Sequence, residues 1–506
     1  MAPIHSGDPV NLAVICVSVG ITYYVLYAFY QLFLSPMSSY PGPFLWRISQ
    51  LPRAYYLMKG VLPFRIAKLH DKYGPVVRVA PNELAFREVE AWRDIYGHRA
   101  SGEEEYPKQK AFYKPIDSHA SSIIILDREG HSTVRRQLAH GFSDRSMRAQ
   151  EPIIGSYVDL LIRRLRETYD KEVAANKEAA ATDPRGATVN MRNWFDWTTF
   201  DIIGDLGMGD SFKGLEDGGY HPWVALINNT VRQSSMLAAI VRLGFSGLVQ
   251  FAFNRGAIAA TEHTQIVKEK LAQRLELKAE RPDFIEGLIR HKGLSFDELA
   301  ANADLLLVAG SETTSTLLGG VTYLLSTHPD QYRRVTQEVR AAFESDDQIT
   351  LTSVSGLSYM LACLNETLRH YPPVVTGMPR VVPKGGKHIV GKFVPENTIV
   401  AVWQWSINHD PRYWTEPHAF IPERWTGEDA RFKNDRTEAM QPFGVGPRNC
   451  IGRNLAYAEM RLILAKLLYN FDISLHEDSR DWLKTQKAYV VWDKPQLNVR
   501  IKPVVR

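Results

Sequence analysis

The sequence predicts a mainly α-helical protein with a small β-rich subdomain, preceded by one transmembrane helix. Three stretches indicate this class: an uncharged apolar run near the N-terminus, a long apolar helix in the second half, and a segment of alternating apolar residues between them. Helical spacing and alternation are the periodicities that distinguish helices from strands. The 506 residues are 45% hydrophobic and 23% charged, ordinary for a globular protein with a substantial core.

The N-terminal apolar run predicts a membrane anchor. Residues 9–46 carry no charge, and residues 10–34 are mostly apolar. About 20 such residues are enough to cross a bilayer as a helix. Arg47 and Lys59 follow the run and only Asp8 precedes it, so the positive-inside rule places the rest of the chain in the cytosol. A cleaved signal peptide is the alternative, but the run is too long and has no basic region before it. We expect the anchor to occupy residues 1–34.

A proline-rich segment follows the anchor. Residues 35–50 read SPMSSYPGPFLWRISQ, in which the prolines cannot continue a helix and the glycine turns the chain. This composition predicts a semi-rigid hinge. No low-complexity tract or repeat divides the later sequence, so we expect residues 51–506 to form one catalytic domain. Within it, residues 73–90 alternate apolar positions around Pro81-Asn82, which indicates a strand and a turn.

Charge and cysteine content exclude several functional classes. The net charge is +4, from 60 basic and 56 acidic residues, which is too balanced to indicate a nucleic-acid partner. The three cysteines lie far apart, so the sequence predicts neither a disulfide framework nor a C-x-x-C metal site. We therefore expect the catalytic domain to lie in a reducing compartment.

One of these cysteines, Cys450, lies in the loop sequence FGVGPRNCIG, which spans residues 443–452. Its glycines and proline predict a tight, irregular loop, and the apolar spacing that follows predicts a helix. A cysteine at a helix N-terminus is favoured as a thiolate, the form that ligates metal, and Arg448 adds a nearby cation. The ordinary alternative for a lone cysteine is a buried free thiol that packs as a small hydrophobe.

The long helix has polar residues at its centre. Ser295 and Glu298 fit a capping box, and the helical pattern continues to Pro329, about 32 residues or on the order of 48 Å. The middle of this helix carries small residues, a carboxylate and a hydroxyl: Ala309, Gly310, Glu312 and Thr313. A buried carboxylate is costly without a partner or a function. The alternative role for the hydroxyl is a bond to the carbonyl four residues earlier, which bends a helix.

The pattern F-x-x-G-x-R-x-C-x-G is matched at every defined position and resembles the heme-binding signature of the cytochrome P450 family. Three more motifs occur in the family's order and spacing: AGSET at 309–313, ETLR at 366–369 and PERW at 422–425. The resemblance covers the chain after residue 35 and implies the cytochrome P450 fold. Segments such as HSTVRRQLAHGFSD and MPRVVPKGG are similar to fungal P450s of secondary metabolism, including isotrichodermin hydroxylase and benzoate hydroxylase relatives.

The resemblance implies heme b (iron protoporphyrin IX) as the cofactor, with Cys450 as the axial ligand of the iron. A thiolate ligand favours O–O cleavage, whereas a histidine suits oxygen carriage or peroxidase chemistry. His131 stands where the family has tryptophan, one turn before the arginine that contacts a propionate. The further heme contacts that the resemblance implies are Arg135, His131, Arg380, Arg448, Phe443, Gly444, Ala309 and Gly310.

The same resemblance assigns roles to two other groups of residues. Thr313 and Glu312 would help to deliver protons to dioxygen, a step that needs a positioned hydroxyl and a titratable group. Glu366, Arg369 and Arg424 would form a buried triad that is needed for heme incorporation. The tryptophan of PERW replaces the phenylalanine that is also found in the family.

These features imply a microsomal monooxygenase that inserts one oxygen atom into a lipophilic small molecule, of terpenoid, polyketide, alkaloid or peptide origin. Electrons would come from NADPH through NADPH-cytochrome P450 reductase, with cytochrome b5 as a second donor, at the endoplasmic reticulum membrane. A desaturase and an isomerase or dehydratase of the same fold remain alternatives, as does a heme-based gas sensor. The intact Glu312-Thr313 pair argues against the isomerase, which needs no protons for dioxygen. Substrate and regiochemistry stay open.

Overall fold

The structure is a computed structural model that describes residues 9–100, 102–115, 120–175, 186–219, 222–255, 262–277, 281, 283–290 and 293–505. The first eight residues of the expected anchor lie outside this range. The α-helices, in chain order, are α1 (Pro9–Phe29), α2 (Phe44–Ile48), α3 (Leu51–Met58), α4 (Leu62–Tyr73), α5 (Glu90–Tyr96), α6 (Lys110–Tyr113), α7 (Arg128–Ala139), α8 (Asp144–Ala175), α9 (Met191–Met208), α10 (Gly214–Asp217), α11 (Pro222–Ile240), α12 (Ser246–Asn254), α13 (Glu262–Glu276), α14 (Glu286–Arg290), α15 (Phe296–Thr327), α16 (Pro329–Ala342), α17 (Ser358–His370), α18 (Gln404–Asn408) and α19 (Arg453–Asn470).

Small β-sheets accompany these helices, which confirms the predicted mainly α-helical class. The strands are β1 (Val76–Ala80), β2 (Glu83–Phe86), β3 (Ala187–Asn190), β4 (Arg380–Val381), β5 (Lys387–Ile389), β6 (Lys392–Val394), β7 (Ile399–Val402), β8 (Phe471–Leu475), β9 (Lys487–Ala488), β10 (Trp492–Asp493) and β11 (Asn498–Pro503). The largest described sheet has the order β1-β2-β7-β4, in which only β2 and β7 run parallel. β1 and β2 confirm the strand-and-turn pattern of residues 73–90.

The long helix α15 crosses the core and packs along α9. Its predicted start is confirmed, because the Glu298 N–H donates to Ser295 Oγ and the Ser295 N–H donates to Glu298 Oε2, at 3.3 and 2.9 Å. Most side chains in its second half are buried. The helix therefore forms one fixed wall of the interior, and its small central residues lie where a cavity opens.

The predicted hinge is packed against the domain instead of spanning open space. Met37 and Tyr40 are buried. Arg78 in β1 is fully buried and donates from Nη1 to the Gln31 carbonyl at 2.8 Å, and Arg47 donates to the Leu32 carbonyl at 3.0 Å. These two arginines satisfy carbonyls at the end of the N-terminal helical segment, where no further helical turn follows. The segment is therefore tied to the sheet.

Two further expectations come from the family resemblance. It implies a strand over residues 372–380, but only Arg380 at their end belongs to one. It also implies that the run from Asp201 to Phe253 covers the substrate cavity. Among the described side chains of this run, Ile203 borders the central cavity described below, while the side chains of residues 220–230 lie outside the described set.

Candidate active site

A largely apolar cavity of about 370 Å³ lies between α15 and α19. Most of its lining comes from α15, the segment after α17, the loop that precedes α19 and the first turn of α19. The residues expected at this place that line it are Ala309, Gly310, Thr313, Phe443, Gly444, Arg448 and Cys450. The cavity thus brings the cysteine loop and the centre of the long helix to one space.

Cys450 is held at the edge of this cavity by the fold of its loop. Its N–H donates to the Phe443 carbonyl at 2.8 Å, and the side chain is exposed where the cavity opens. Gly446 has a φ of 75°, and a Cβ there would lie 2.0 Å from the Tyr96 carbonyl oxygen, so only glycine fits. The loop is therefore shaped to present one sulfur.

The electrostatic setting of Cys450 is less favourable to a thiolate than its helix N-terminus suggests. The sulfur is open to the cavity, but the protein around it still keeps it from bulk water, which raises the pKa of the thiol, and the Gly452 N–H, Arg135 and Arg453 only partly offset this effect. Desolvation disfavours any charged form, and here it outweighs the neighbouring donors and cations. The thiolate that a metal requires must therefore be stabilised by the metal itself.

A group of basic residues forms one rim of the cavity and continues into a neighbouring groove. Arg448 binds Glu105 through Nε–Oε1 at 2.5 Å and Nη2–Oε2 at 3.1 Å. Arg380 Nη1 lies 3.4 Å from Glu105 Oε1 and donates to the Tyr106 carbonyl at 3.0 Å. Burial raises the pKa of Glu105, but hydrogen bonds and charge from both arginines leave it below its usual value. No motif had indicated Glu105.

Two further basic side chains near this rim, Lys108 and His131, lose affinity for a proton because burial and the surrounding arginines disfavour their charged forms. Burial, followed by repulsion from Arg448, lowers the pKa of Lys108 to about 6 and that of His131 to about 4. Arg135 donates to the Asn449 carbonyl at 2.7 Å and to its side-chain oxygen at 2.6 Å. The rim therefore has more basic groups than Glu105 can neutralise.

These residues fit a heme. A flat macrocycle that brings four nitrogen ligands needs one protein ligand, which Cys450 supplies at the cavity, and its two propionates match the excess of basic groups. Arginine and carboxylate form the strong, charge-assisted kind of hydrogen bond. The apolar walls suit the porphyrin ring. The side chains that could meet its propionates are Arg135, His131 and Arg448, which line the neighbouring groove, and Arg380, which contacts Glu105 of that groove.

The structure separates the two residues expected to handle protons. Thr313 lines the cavity, and its hydroxyl donates to the Ala309 carbonyl at 2.7 Å, the bond four residues back that the sequence also predicted. Glu312 is not among the cavity residues. It is buried on another side of α15, where its Oε1 lies 2.7 Å from Lys494 Nζ. Burial raises the pKa of Glu312, against the opposing charge of Lys494.

The expected Glu366-Arg369-Arg424 triad is present, and all three side chains are fully buried. Arg369 Nη2 lies 2.8 Å from Glu366 Oε1, and Arg424 Nε lies 3.0 Å from Oε2. The Trp425 indole N–H donates to the same Oε2 at 2.9 Å. Burial raises the pKa of Glu366, and Arg369 and then Arg424 bring it below the usual value. Tryptophan in PERW therefore adds a hydrogen bond that phenylalanine cannot make.

Glu459 is a second buried carboxyl that the sequence did not indicate. It lies on α19, is 1% exposed, and its Oε1 contacts no hydrogen-bond partner among the described residues. Burial raises the pKa of Glu459 to about 8, against a hydrogen bond from Thr314. The carboxyl is therefore protonated at neutral pH.

We expect Glu459→Gln to change how stability depends on pH. Between the usual carboxyl pKa and about 8, folded wild type binds one more proton than the unfolded chain, so its free energy of unfolding falls as pH rises. From about pH 5 to pH 9 the variant should gain about 4 kcal/mol relative to wild type, at 1.36 kcal/mol per unit. Denaturation of both proteins across this range measures the difference. A difference independent of pH would contradict a raised pKa.

A lone cysteine facing an apolar cavity with a basic rim fits a heme-thiolate oxidoreductase. The cytochrome P450 family model matches residues 36–501. Cytochrome P450 monooxygenase tpeC of Talaromyces stipitatus is 47% identical over 97% of this chain and 95% of its own length. Trichothecene C-15 hydroxylase of Fusarium sporotrichioides is 43% identical over 96% of both chains.

A third relative, cytochrome P450 monooxygenase 1 of Neocamarosporium betae, is 44% identical over 96% of this chain and 97% of its own. This chain belongs to the cytochrome P450 family. It is a monooxygenase that uses heme b and takes electrons from NADPH through a reductase. The similarity to fungal P450s of secondary metabolism is likewise confirmed.

Proposed function

We propose that this P450 inserts one oxygen atom from O2 into a lipophilic small molecule of fungal secondary metabolism, of terpenoid, polyketide, alkaloid or peptide origin. The observation that carries the proposal is the single cavity that contains both Cys450 and Thr313 and is otherwise mainly apolar. Such a cavity binds apolar compounds by excluding water from them. The names of the fungal relatives, which include a trichothecene hydroxylase, support this substrate class.

Different residues of this chain would contact different parts of the cofactor. Cys450 would ligate the iron, and heme b would supply oxygen activation once it is bound. Phe443, Gly444, Ala309 and Gly310 line the space for the ring. The basic residues that would meet the propionates would fix the orientation of the ring: Arg135, His131 and Arg448 at the groove, and Arg380 through its contact with Glu105. Glu366, Arg369 and Arg424 keep the supporting segments in place.

We assign proton delivery to two residues of α15, Thr313 and Glu312. Thr313 places a hydroxyl in the cavity, with its own proton directed to the Ala309 carbonyl, so the oxygen can accept a proton donor from the cavity side. Glu312, the next residue along the helix, is the titratable group that resupplies protons. Positioned acid–base groups contribute about 10² to 10⁴ in rate.

Thr313→Ala should leave folding and substrate binding nearly unchanged, because one small side chain is lost at a cavity wall. NADPH should still be consumed, but more of it should yield hydrogen peroxide, because proton delivery is misdirected. The measurement is the ratio of product to NADPH oxidised, with peroxide assayed in parallel. Thr313→Ser, which keeps the hydroxyl, is the matched control. An unchanged ratio in Thr313→Ala would leave this residue with only its bond to the helix backbone.

We also place the protein at the endoplasmic reticulum, anchored by residues 1–34, with residues 35–50 as a connector, residues 51–506 in the cytosol and cytochrome b5 as a second electron donor. Two described helical segments are long and apolar enough to cross a membrane, Asn11–Leu34 and Val231–Asn254. The first is unburied and lies near the N-terminus. The second exposes Phe245, Leu248 and Phe251, which suits contact with the membrane surface.

Deleting residues 1–34 should release the protein from membranes only in part, because the exposed apolar side chains of residues 245–251 remain. Heme binding should persist, since the anchor lies outside the core. This deletion removes the backbone partners of Arg78 and Arg47, so a deletion of residues 1–26, which keeps them, is the matched control. Membrane fractionation and heme content are measured for both. Loss of heme in the shorter deletion would contradict the assigned boundary.

One experiment tests the proposed activity against its alternatives. The full-length protein is combined with NADPH-cytochrome P450 reductase, and NADPH oxidation is followed with and without extracted fungal metabolites. A monooxygenase should oxidise NADPH faster when a substrate is present and convert that compound to an oxygenated product. Conversion without NADPH consumption would favour an isomerase or dehydratase, and binding without either would favour a gas sensor.

A further inference from the structure

A buried cluster of charged side chains lies behind α15, outside the cavity. Its centre is Lys494, which is 3% exposed and belongs to the segment between β10 and β11. Lys494 Nζ lies 2.7 Å from Glu312 Oε1 and donates to Thr316 Oγ1 at 2.8 Å and Ser315 Oγ at 3.1 Å. An ammonium has three donors, so these three acceptors satisfy it completely. No sequence motif had pointed to this lysine.

The cluster continues from Lys494 to α9. Lys494 Nζ lies 3.6 Å from Asp196 Oδ1, which also accepts a 2.6 Å hydrogen bond from Ser315 Oγ. Arg192 Nε lies 3.6 Å from the other Asp196 oxygen, and the Arg192 side chain is 21% exposed. Two acids and two bases thus balance in charge. The cluster links a buried carboxylate on α15 to a side chain that reaches the surface.

Lys494 is held by a hairpin that also supports the cavity wall. The Trp492 indole N–H donates to the Pro372 carbonyl at 2.8 Å, and the Val490 carbonyl accepts from the Val375 N–H at 3.3 Å. On either side of Val375, Val374 and Thr376 line the cavity. The β9–β10 hairpin therefore fixes both the wall that meets substrate and the lysine that meets Glu312.

We propose that Lys494 is a positioning residue for Glu312, which keeps the carboxylate ionised and turned away from the cavity so that it can accept each new proton. The inference rests on the proposed role of Glu312 in proton supply. A buried carboxyl without a cation is neutral at physiological pH, and a neutral carboxyl accepts no proton. The titratable or charged groups around Glu312 are Lys494, Asp196, Arg192 and Tyr371.

The test uses the full-length holoenzyme without added substrate. Infrared spectroscopy at neutral pH detects the carbonyl stretch of a protonated carboxylic acid. We expect Lys494→Met to gain one such band, which is absent from Lys494→Met/Glu312→Gln and is therefore assigned to Glu312. The protonated Glu459 gives a band in every variant, so the Glu312 band is the one that Glu312→Gln removes. Wild type and Lys494→Arg, which keeps the cation, should lack this Glu312 band. The proposal is overturned if Lys494→Met gains no band, or if Glu312→Gln removes a band from wild type or from Lys494→Arg.

Lys494→Met leaves a buried carboxyl without its cation and can reduce the yield of folded holoenzyme. The double variant then decides, because it removes the carboxylate as well. Recovery of heme content in Lys494→Met/Glu312→Gln supports the proposal, since the defect came from the uncompensated Glu312. A double variant as defective as Lys494→Met would make the lysine a purely structural residue and would overturn the proposal.

A second readout separates this inference from the proposed function. With the reductase and a metabolite that stimulates NADPH oxidation, Lys494→Met should lower product per NADPH about tenfold, less than the 10² to 10⁴ typical of losing the acid–base group itself. It should have no further effect in a Glu312→Gln background. Lys484→Met, which changes an exposed lysine paired with Asp481, should have no effect. If Glu312→Gln alone leaves the ratio unchanged, the proposed function of Glu312 fails, whereas the infrared band still decides the role of Lys494.

Discussion

Glu366→Ala is expected to leave almost no heme-containing protein. The Glu366 carboxylate accepts from Arg369, Arg424, Trp425 and the Ile421 N–H, at distances from 2.8 to 3.1 Å. Its removal leaves two fully buried guanidinium groups without a carboxylate partner. Breaking a buried pair by deleting one partner costs about 3 to 5 kcal/mol, a large part of the roughly 5 to 15 kcal/mol that keeps a domain folded.

The chain offers a control with the same spacing. Asp330 and Arg333 on α16 also lie three residues apart, at 3.2 Å, but their side chains are 81% and 66% exposed. Asp330→Ala should cost about 0 to 1 kcal/mol, because water screens an exposed pair. Heme absorbance per protein and the thermal unfolding midpoint measure both variants. Equal effects would show that burial of the triad does not matter.

Cys450→Ser is expected to abolish both turnover and the red-shifted carbon monoxide spectrum of thiolate-ligated ferrous heme. A hydroxyl donates less charge to iron than a thiolate does, so the spectrum and O–O cleavage are lost together. The effect should be complete, since no other cysteine lines the cavity in the part of the chain that the structure describes. Cys16→Ser, in the N-terminal helix, is the control. A Cys450→Ser protein with the thiolate spectrum would refute the assigned ligand.

Much of the site was predictable because its residues lie in short, ordered patterns. The capping box of α15 depends on two residues three apart, and the loop around Cys450 on a run of ten. The partners of the triad are separated in sequence, yet each lies in a motif of its own. The family resemblance of these motifs therefore indicated the contact of Arg424 with the Glu366-Arg369 pair, which the spacing of residues within one helix cannot indicate.

The residues that the sequence did not indicate have partners far away in the sequence or lie at positions without a pattern. Glu105 meets Arg448 and Lys494 meets Glu312 across more than 150 positions of sequence. Glu105 and Lys494 are single charged residues outside the helices, so no periodic pattern in the sequence indicates how far they are buried. Their burial depends on tertiary packing alone. Glu459 likewise reads as one polar position on an amphipathic helix. Only the packed structure shows that it is buried.

The expected strand at residues 372–380 failed for a reason that is visible in its hydrogen bonds. Pro372, Pro373 and Pro379 have no N–H to donate to a neighbouring strand. The Val375 N–H bonds to Val490 and its carbonyl accepts from Trp405, in two different elements. The segment is therefore fixed by isolated bonds that suit a cavity wall.

The most direct test of the central claim is the origin of the oxygen atom in the product. The full-length protein, its reductase and NADPH are incubated under oxygen-18 gas with a metabolite that stimulates NADPH oxidation. Mass spectrometry then determines the molecular mass of the product. A monooxygenase built around Cys450 and Thr313 predicts one oxygen-18 atom in each product molecule. A product that carries none of the label, as a desaturase or an isomerase would give, would contradict it.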